Sequence, residues 1–117
     1  MTQHGTLDAE RWSRFDLDQQ VLMIGNEMNR VATAIELDRG EARRRGYERV
    51  LRLTDLTAGG RVPSTFRKEL LRWRDLAAEL YVRQSADAAS HRAAFRALLR
   101  LTPAAAKQIA LLPATRD

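Results

Sequence analysis

The chain contains no cysteine among its 117 residues, so disulfide bonds, thiolate zinc sites and cysteine nucleophiles are excluded. Histidine is scarce, with two residues, His4 and His91, and only 6% of the chain is aromatic. No apolar run approaches the ~18 residues that span a bilayer, and residues 1–10 lack the pattern of a secretory signal. We therefore expect a cytoplasmic protein that carries no cofactor and has no contact with a membrane.

Signals for β-structure are also missing. The sequence has no alternating runs of β-branched residues and no Asn-Gly or Asp-Gly hairpin turn. Apolar residues instead recur at the spacing of an α-helix, which places them on one face. The clearest such stripe advances by four and three residues in turn, through Leu17, Val21, Ile24, Met28, Val31 and Ile35. Asp16 and Gln19 form the pattern of a capping box before it, and Gly40 is expected to end it.

The same reasoning extends along the chain. Gly46 lies inside the second predicted helix and suggests a close approach of another helix, and Ser64 is expected to cap the third. Thr102-Pro103 indicates a restart, with threonine as the cap and proline in the first turn. The predicted boundaries are about 16–39, 41–57 and 64–84 for the first three main helices, and about 7–15 and 104–112 for two short ones. The fourth main helix is expected to start within residues 85–90 and to run to about residue 101.

These helices predict one all-α domain over residues 1–117, an antiparallel bundle of four main helices with short terminal helices. Residues 1–15 form a short helix or arm, residues 16–101 the main bundle, and residues 102–117 a short helix and tail.

Charge is distributed unevenly along the chain. Residues 1–38 sum to −4 and residues 39–117 to +9, and 18 of the 20 basic residues are arginine. The second predicted helix carries the candidate nucleic-acid face, formed by Arg44, Arg45, Arg49 and Arg52. The alternative is that acids of the preceding helix pair with these arginines internally, and few aromatic residues are present to stack on bases.

No catalytic constellation is recognisable in the sequence. Neither histidine follows a glutamate at the Glu-x-x-His spacing of di-iron bundles, and His91 is expected to be structural or exposed. The glycines at 59 and 60 lack the length and lysine of a phosphate-binding loop. We therefore predict a protein that is not an enzyme and has neither a metal nor a catalytic residue.

A role in binding other proteins is the leading hypothesis. The apolar stripes are wider than one helix seam requires, which favours a homo-oligomer or a subunit of a larger complex. The candidate interface residues are Trp12, Leu22, Trp73 and Tyr81, because aromatic side chains dominate binding energy at interfaces. The alternative for these residues is an ordinary core position. RNA or DNA binding through the arginine face is the second hypothesis.

Two stretches of the sequence resemble known helical proteins. Gly40-Glu41-Ala42 followed by Tyr47 to Leu53 resembles the turn and second helix of a tetratricopeptide unit, over one half-repeat. The stretch from Tyr47 to Tyr81 is also similar to small bacterial helical-bundle proteins of uncharacterised role. The first resemblance implies a helical hairpin, and the second implies no activity.

Overall fold

The fold is given by a computed structural model that describes residues 8–112. The helices are α1 (Ala9–Trp12), α2 (Leu17–Glu36), α3 (Gly40–Ala58), α4 (Ser64–Val82), α5 (Ala88–Leu99) and α6 (Pro103–Ala106), followed by a 3₁₀ turn, Lys107–Leu111. The predicted arm before Asp8, which includes His4, and the predicted tail after Leu112 lie outside the described residues. Within the described part the chain is entirely α-helical, with no strand, as the sequence predicts.

The four long helices form an up-and-down antiparallel bundle. Each packs against the next along the chain, and α5 closes the ring by packing against α2. The short connections require consecutive helices to run in opposite directions. The helix α1 packs on α3, whereas α6 and the 3₁₀ turn lie against α2 and α5.

The interior is filled by the stripes that the sequence predicts. Ile24, Met28 and Val31 of α2 are fully buried, as are Leu70 and Ala77 of α4. Burial of each large apolar side chain contributes roughly 1.5–3 kcal/mol. The core therefore explains why helices of this length form in a short chain.

The start of α2 agrees with its prediction, and its end does not. Asp16 accepts from Gln19 N at 2.8 Å and Gln19 Oε1 accepts from Asp16 N at 2.8 Å, so the capping box is confirmed. The prediction that Gly40 ends the helix is wrong, because Gly40 is the first residue of α3. The turn is made by Asp38, whose φ of 56° is left-handed.

Asp38 occupies the left-handed position of a Schellman motif. Its N–H bonds to the carbonyl of Ile35 at 3.1 Å, and Arg39 N–H bonds to the carbonyl of Ala34 at 2.8 Å. Aspartate tolerates this conformation better than most residues that carry a Cβ. A prediction that looked only for glycine therefore placed the end of the helix too late.

One further boundary differs from the sequence interpretation. Ser64 is not a cap, because Pro63 precedes the first turn of α4 and Ser64 is already helical. The cap of α5 is Asp87, which accepts from Ala89 N and Ser90 N, so α5 begins at Ala88, inside the stretch 85–90 where the sequence predicts its start. Thr102 precedes Pro103 at the start of α6 as predicted, although its side chain makes no capping bond.

Gly46 marks a close helix approach, as the sequence suggests. A Cβ added there would lie 2.5 Å from Cγ2 of Val31 on α2. Real Cβ atoms do not approach so closely, and Val31 is fully buried. The absence of a side chain at Gly46 therefore sets the distance between α2 and α3.

Candidate functional site: the α2/α5 groove

The candidate site lies along the seam between α2 and α5. Gly25 brings these helices together at one end, since a Cβ there would lie 3.3 Å from Cδ2 of Leu99 and 3.4 Å from Cε1 of Phe95. The surface along this seam is concave, from the 3₁₀ turn to the α2–α3 turn. We call this concave surface the α2/α5 groove and define it by three adjoining cavities.

The middle cavity has a volume of about 300 Å³ and is mostly apolar, with His91 among its lining residues. Ile35 and Ala88 also line a second cavity, beside the α2–α3 turn. Phe95 and Leu112 also line a third, next to the 3₁₀ turn. The described residues of the middle cavity are Asn29, Ala32, Ile35, Glu36, Ala88, His91, Arg92, Phe95, Arg96 and Leu112.

His91 is held rigidly beneath the groove. Its Nε2 lies 2.8 Å from the carbonyl oxygen of Met28, and its Nδ1 lies 2.7 Å from the hydroxyl of Tyr47. A carbonyl only accepts, so Nε2 carries the proton and Nδ1 accepts from Tyr47. The histidine therefore links α5 to both α2 and α3, and its 1% exposure agrees with the structural role expected.

Burial shifts the pKa values of both His91 and Tyr47. Burial lowers the pKa of His91 below its ordinary value of 6.5, and the positive charge of Arg92 acts in the same direction. Burial raises the pKa of Tyr47 to about 12. Both groups are therefore neutral at pH 7, which suits an interior hydrogen bond.

One wall of the groove is basic. Arg92 and Arg96 lie one turn apart on α5 and line the middle cavity, and no acid occurs from residue 88 to residue 112. The Nε of Arg92 is buried without a hydrogen-bond partner. Glu36 is the one carboxylate among the described residues that line the middle cavity.

The predicted interface residues divide into two kinds. Trp12 and Trp73 are 1% and 5% exposed, so they occupy the core, which is the alternative weighed for them. Their indole N–H groups donate to Thr57 Oγ1 at 2.9 Å and to the carbonyl of Ala94 at 2.8 Å. Because both rings are buried and both indole N–H groups are hydrogen-bonded inside the bundle, neither tryptophan offers a surface to a partner.

The other two candidates are only partly buried and lie on different helices, Leu22 on α2 and Tyr81 on α4. Leu22 is partly buried and lines the end of the groove beside the 3₁₀ turn. Tyr81 lies on α4, where its hydroxyl donates to Glu48 at 2.7 Å. The structure therefore does not gather the four residues into one interface, and Leu22 alone belongs to the groove.

The predicted arginine face is largely occupied by internal partners. Arg49 Nε lies 2.8 Å from Glu27 on α2, and Arg45 lies 3.5 Å from Glu41. Arg44 stacks over the Tyr81 ring at 5.2 Å. Arg52 is exposed and forms no ion pair with the residues that the structure describes. Pairing with an acid of the preceding helix, the alternative weighed for this face, accounts for Arg49, whereas Arg45 pairs one turn back within α3.

Sequence reasoning missed the basic wall of α5. The signal was present, because a stretch of 25 residues from 88 to 112 contains four basic residues and no acid. It was obscured by the denser arginines of α3, whose acidic partners lie on another helix or one turn away. Sequence spacing alone does not show which charges are compensated.

Two further searches gave negative results within residues 8–112. They contain no group of three or more His, Asp or Glu side chains arranged to hold a metal ion. None of the helices described is long and apolar enough to cross a membrane. Comparisons of the chain with protein-family models, with curated proteins and with solved structures gave no match.

Proposed function

We propose that this protein is a non-enzymatic interaction module that binds a segment of a partner protein in the α2/α5 groove. The observation that carries the proposal is the groove itself, an apolar concavity between two packed helices with polar groups on its walls. Binding sites commonly have this composition, and about 300 Å³ lies at the lower end of their size range. Ala32, Ile35 and Phe95 would supply the apolar contacts.

The position of His91 supports binding rather than catalysis. A general base must reach the proton that it removes, within about 2.6–3.2 Å or through one water. Both ring nitrogens of His91 are already bonded inside the bundle, and the ring is 1% exposed. Its function in this proposal is to hold α5 at a fixed distance from α2 and α3.

A photo-crosslinking amino acid at position 32 tests the proposal in native cells. Ala32 lines the groove, and a matched control position is Thr65, which is exposed on α4 away from it. We expect a discrete crosslinked protein from position 32 that is missing from position 65. Identical products from both positions, or none from position 32, would contradict the proposal.

Nuclease treatment and light scattering separate the other hypotheses. Nuclease treatment should leave the amount of co-purified partner protein unchanged. If the protein instead binds RNA or DNA, the same treatment should remove the co-purified nucleic acid. A homo-oligomer, the other form of the interaction hypothesis, would appear as crosslinks to the protein itself and as a concentration-dependent mass in light scattering.

A further inference from the structure

We infer that the α2/α5 groove selects an acidic amphipathic helix, whose apolar face lies on Ile35 and Phe95 and whose carboxylates meet the arginines of α5. The inference rests on the proposed function and adds the chemistry of the bound segment. Three observations support it: the positive charge of one wall of the groove, the buried and unpaired Nε of Arg92, and the helical geometry of both walls.

Charge complementarity is the first observation. The wall formed by α5 carries Arg92 and Arg96, and the sequence contains no acid between residues 88 and 112. Glu36 is the one carboxylate among the described residues that line the middle cavity. Two arginines against one carboxylate leave this lining positive, so a partner that carries carboxylates would be favoured.

The hydrogen bonding of Arg92 is the second observation. Its Nε is buried and lacks an acceptor, and leaving such a group unsatisfied is unfavourable. A carboxylate in the groove would give a reoriented guanidinium a bidentate partner, the geometry that arginine binds best. The arginines of α3 differ, because Arg49 already has Glu27 at 2.8 Å.

The shape of the groove is the third observation. Both walls are helices, and the described residues include no β-strand whose edge could accept an extended peptide. From Asn29 to Glu36 the middle cavity of the groove follows α2 for about 10 Å, at 1.5 Å per residue. That length accommodates about two turns of a partner helix, presenting apolar residues at successive turns.

Binding of fluorescein-labelled synthetic helices by the full chain tests the inference. One peptide carries leucines on one face and glutamates beside them, and the matched peptide replaces every glutamate by lysine. We expect the acidic peptide to bind and the basic peptide to bind at least about tenfold more weakly. Raising the salt concentration should weaken the acidic peptide's binding.

Substitutions in the groove show which residues contact the peptide. Arg92→Gln should weaken binding of the acidic peptide by about three- to tenfold, whereas Arg52→Gln on α3 should leave its binding unchanged. Ala32→Trp should abolish binding by filling the groove. Asn29→Trp, at the exposed rim of the same cavity, is a second blocking variant if Ala32→Trp fails to fold.

The outcomes distinguish the inference from the proposed function. Equal binding of acidic and basic peptides, both abolished by the tryptophan variants, would overturn the acidic chemistry and leave a groove that binds helices. Acidic-peptide binding that survives a folded tryptophan variant would overturn both. Failure to bind the acidic peptide at millimolar concentration would also overturn the inference. So would a dimer of the protein that the variant Arg92→Gln dissociates, because a second copy would then occupy the groove.

Discussion

The hydroxyl of Tyr47 and Nδ1 of His91 lie 2.7 Å apart in the interior, at the meeting point of α3 and α5. Through Nε2 the same imidazole reaches the carbonyl of Met28 on α2. One side chain thus joins three of the four long helices. Because the tyrosine hydroxyl, both ring nitrogens and the carbonyl are paired with one another in this hydrogen-bonded series, removing one of them leaves another without its partner.

Tyr47→Phe should lower the free energy of unfolding by about 1–3 kcal/mol, because Nδ1 of His91 would be buried without a donor. Urea denaturation monitored by circular dichroism measures the change. Tyr81→Phe is the matched control, since the hydroxyl of Tyr81 meets a carboxylate at the surface. An equal loss in both variants would show that the buried bond has no special importance.

Acid should destabilise the fold through His91. Its pKa is lowered in the folded state, so the unfolded chain takes up a proton first as the pH falls below 6.5. The contribution of His91 to stability is therefore complete above that pH and is lost below it. Thermal unfolding between pH 7 and about pH 5 should show this decline, and His91→Gln should flatten it. A wild-type melting temperature that is constant over this range would contradict the prediction.

Gly46→Ala should destabilise the protein by about 1–3 kcal/mol, although alanine is the better helix former. The new methyl group would overlap Val31, a branched side chain with little freedom to move. Gly40→Ala is the control, because no atom lies within 4 Å of the added Cβ. We expect Gly40→Ala to change stability by less than about 0.5 kcal/mol. Reversed effects would mean that α2 and α3 can separate freely.

Asp38→Gly should stabilise the protein by about 0.5–1 kcal/mol, because glycine adopts a φ of 56° without the strain that a Cβ adds. Asp38→Asn should be close to neutral, since asparagine also tolerates this region. Chemical denaturation of the three proteins gives the comparison. A loss of stability in Asp38→Gly would show that the aspartate carboxylate contributes to the turn.

The sequence correctly predicted features that depend only on residues close together in the chain. These are the capping box at Asp16, the apolar stripe of α2 and the break before Pro103, each of which arises within one or two helical turns. The sequence could not predict the groove, because it depends on where α5 settles against α2. The tryptophans show the same limit, since only the fold reveals that Ala94 and Thr57 satisfy their N–H groups.

The side chain of Arg43 provides another connection across the bundle. It starts from α3, is 6% exposed, and donates to the carbonyls of Arg83 and Gln84, the two residues that follow α4. The two carbonyls just beyond α4 are thus bonded by a residue some 40 positions earlier in the chain. A fragment spanning only α4 and α5 would lack both this guanidinium and the partners of His91. We therefore expect that neither helical hairpin folds alone, and that splitting the chain between them gives two pieces that acquire structure only when mixed.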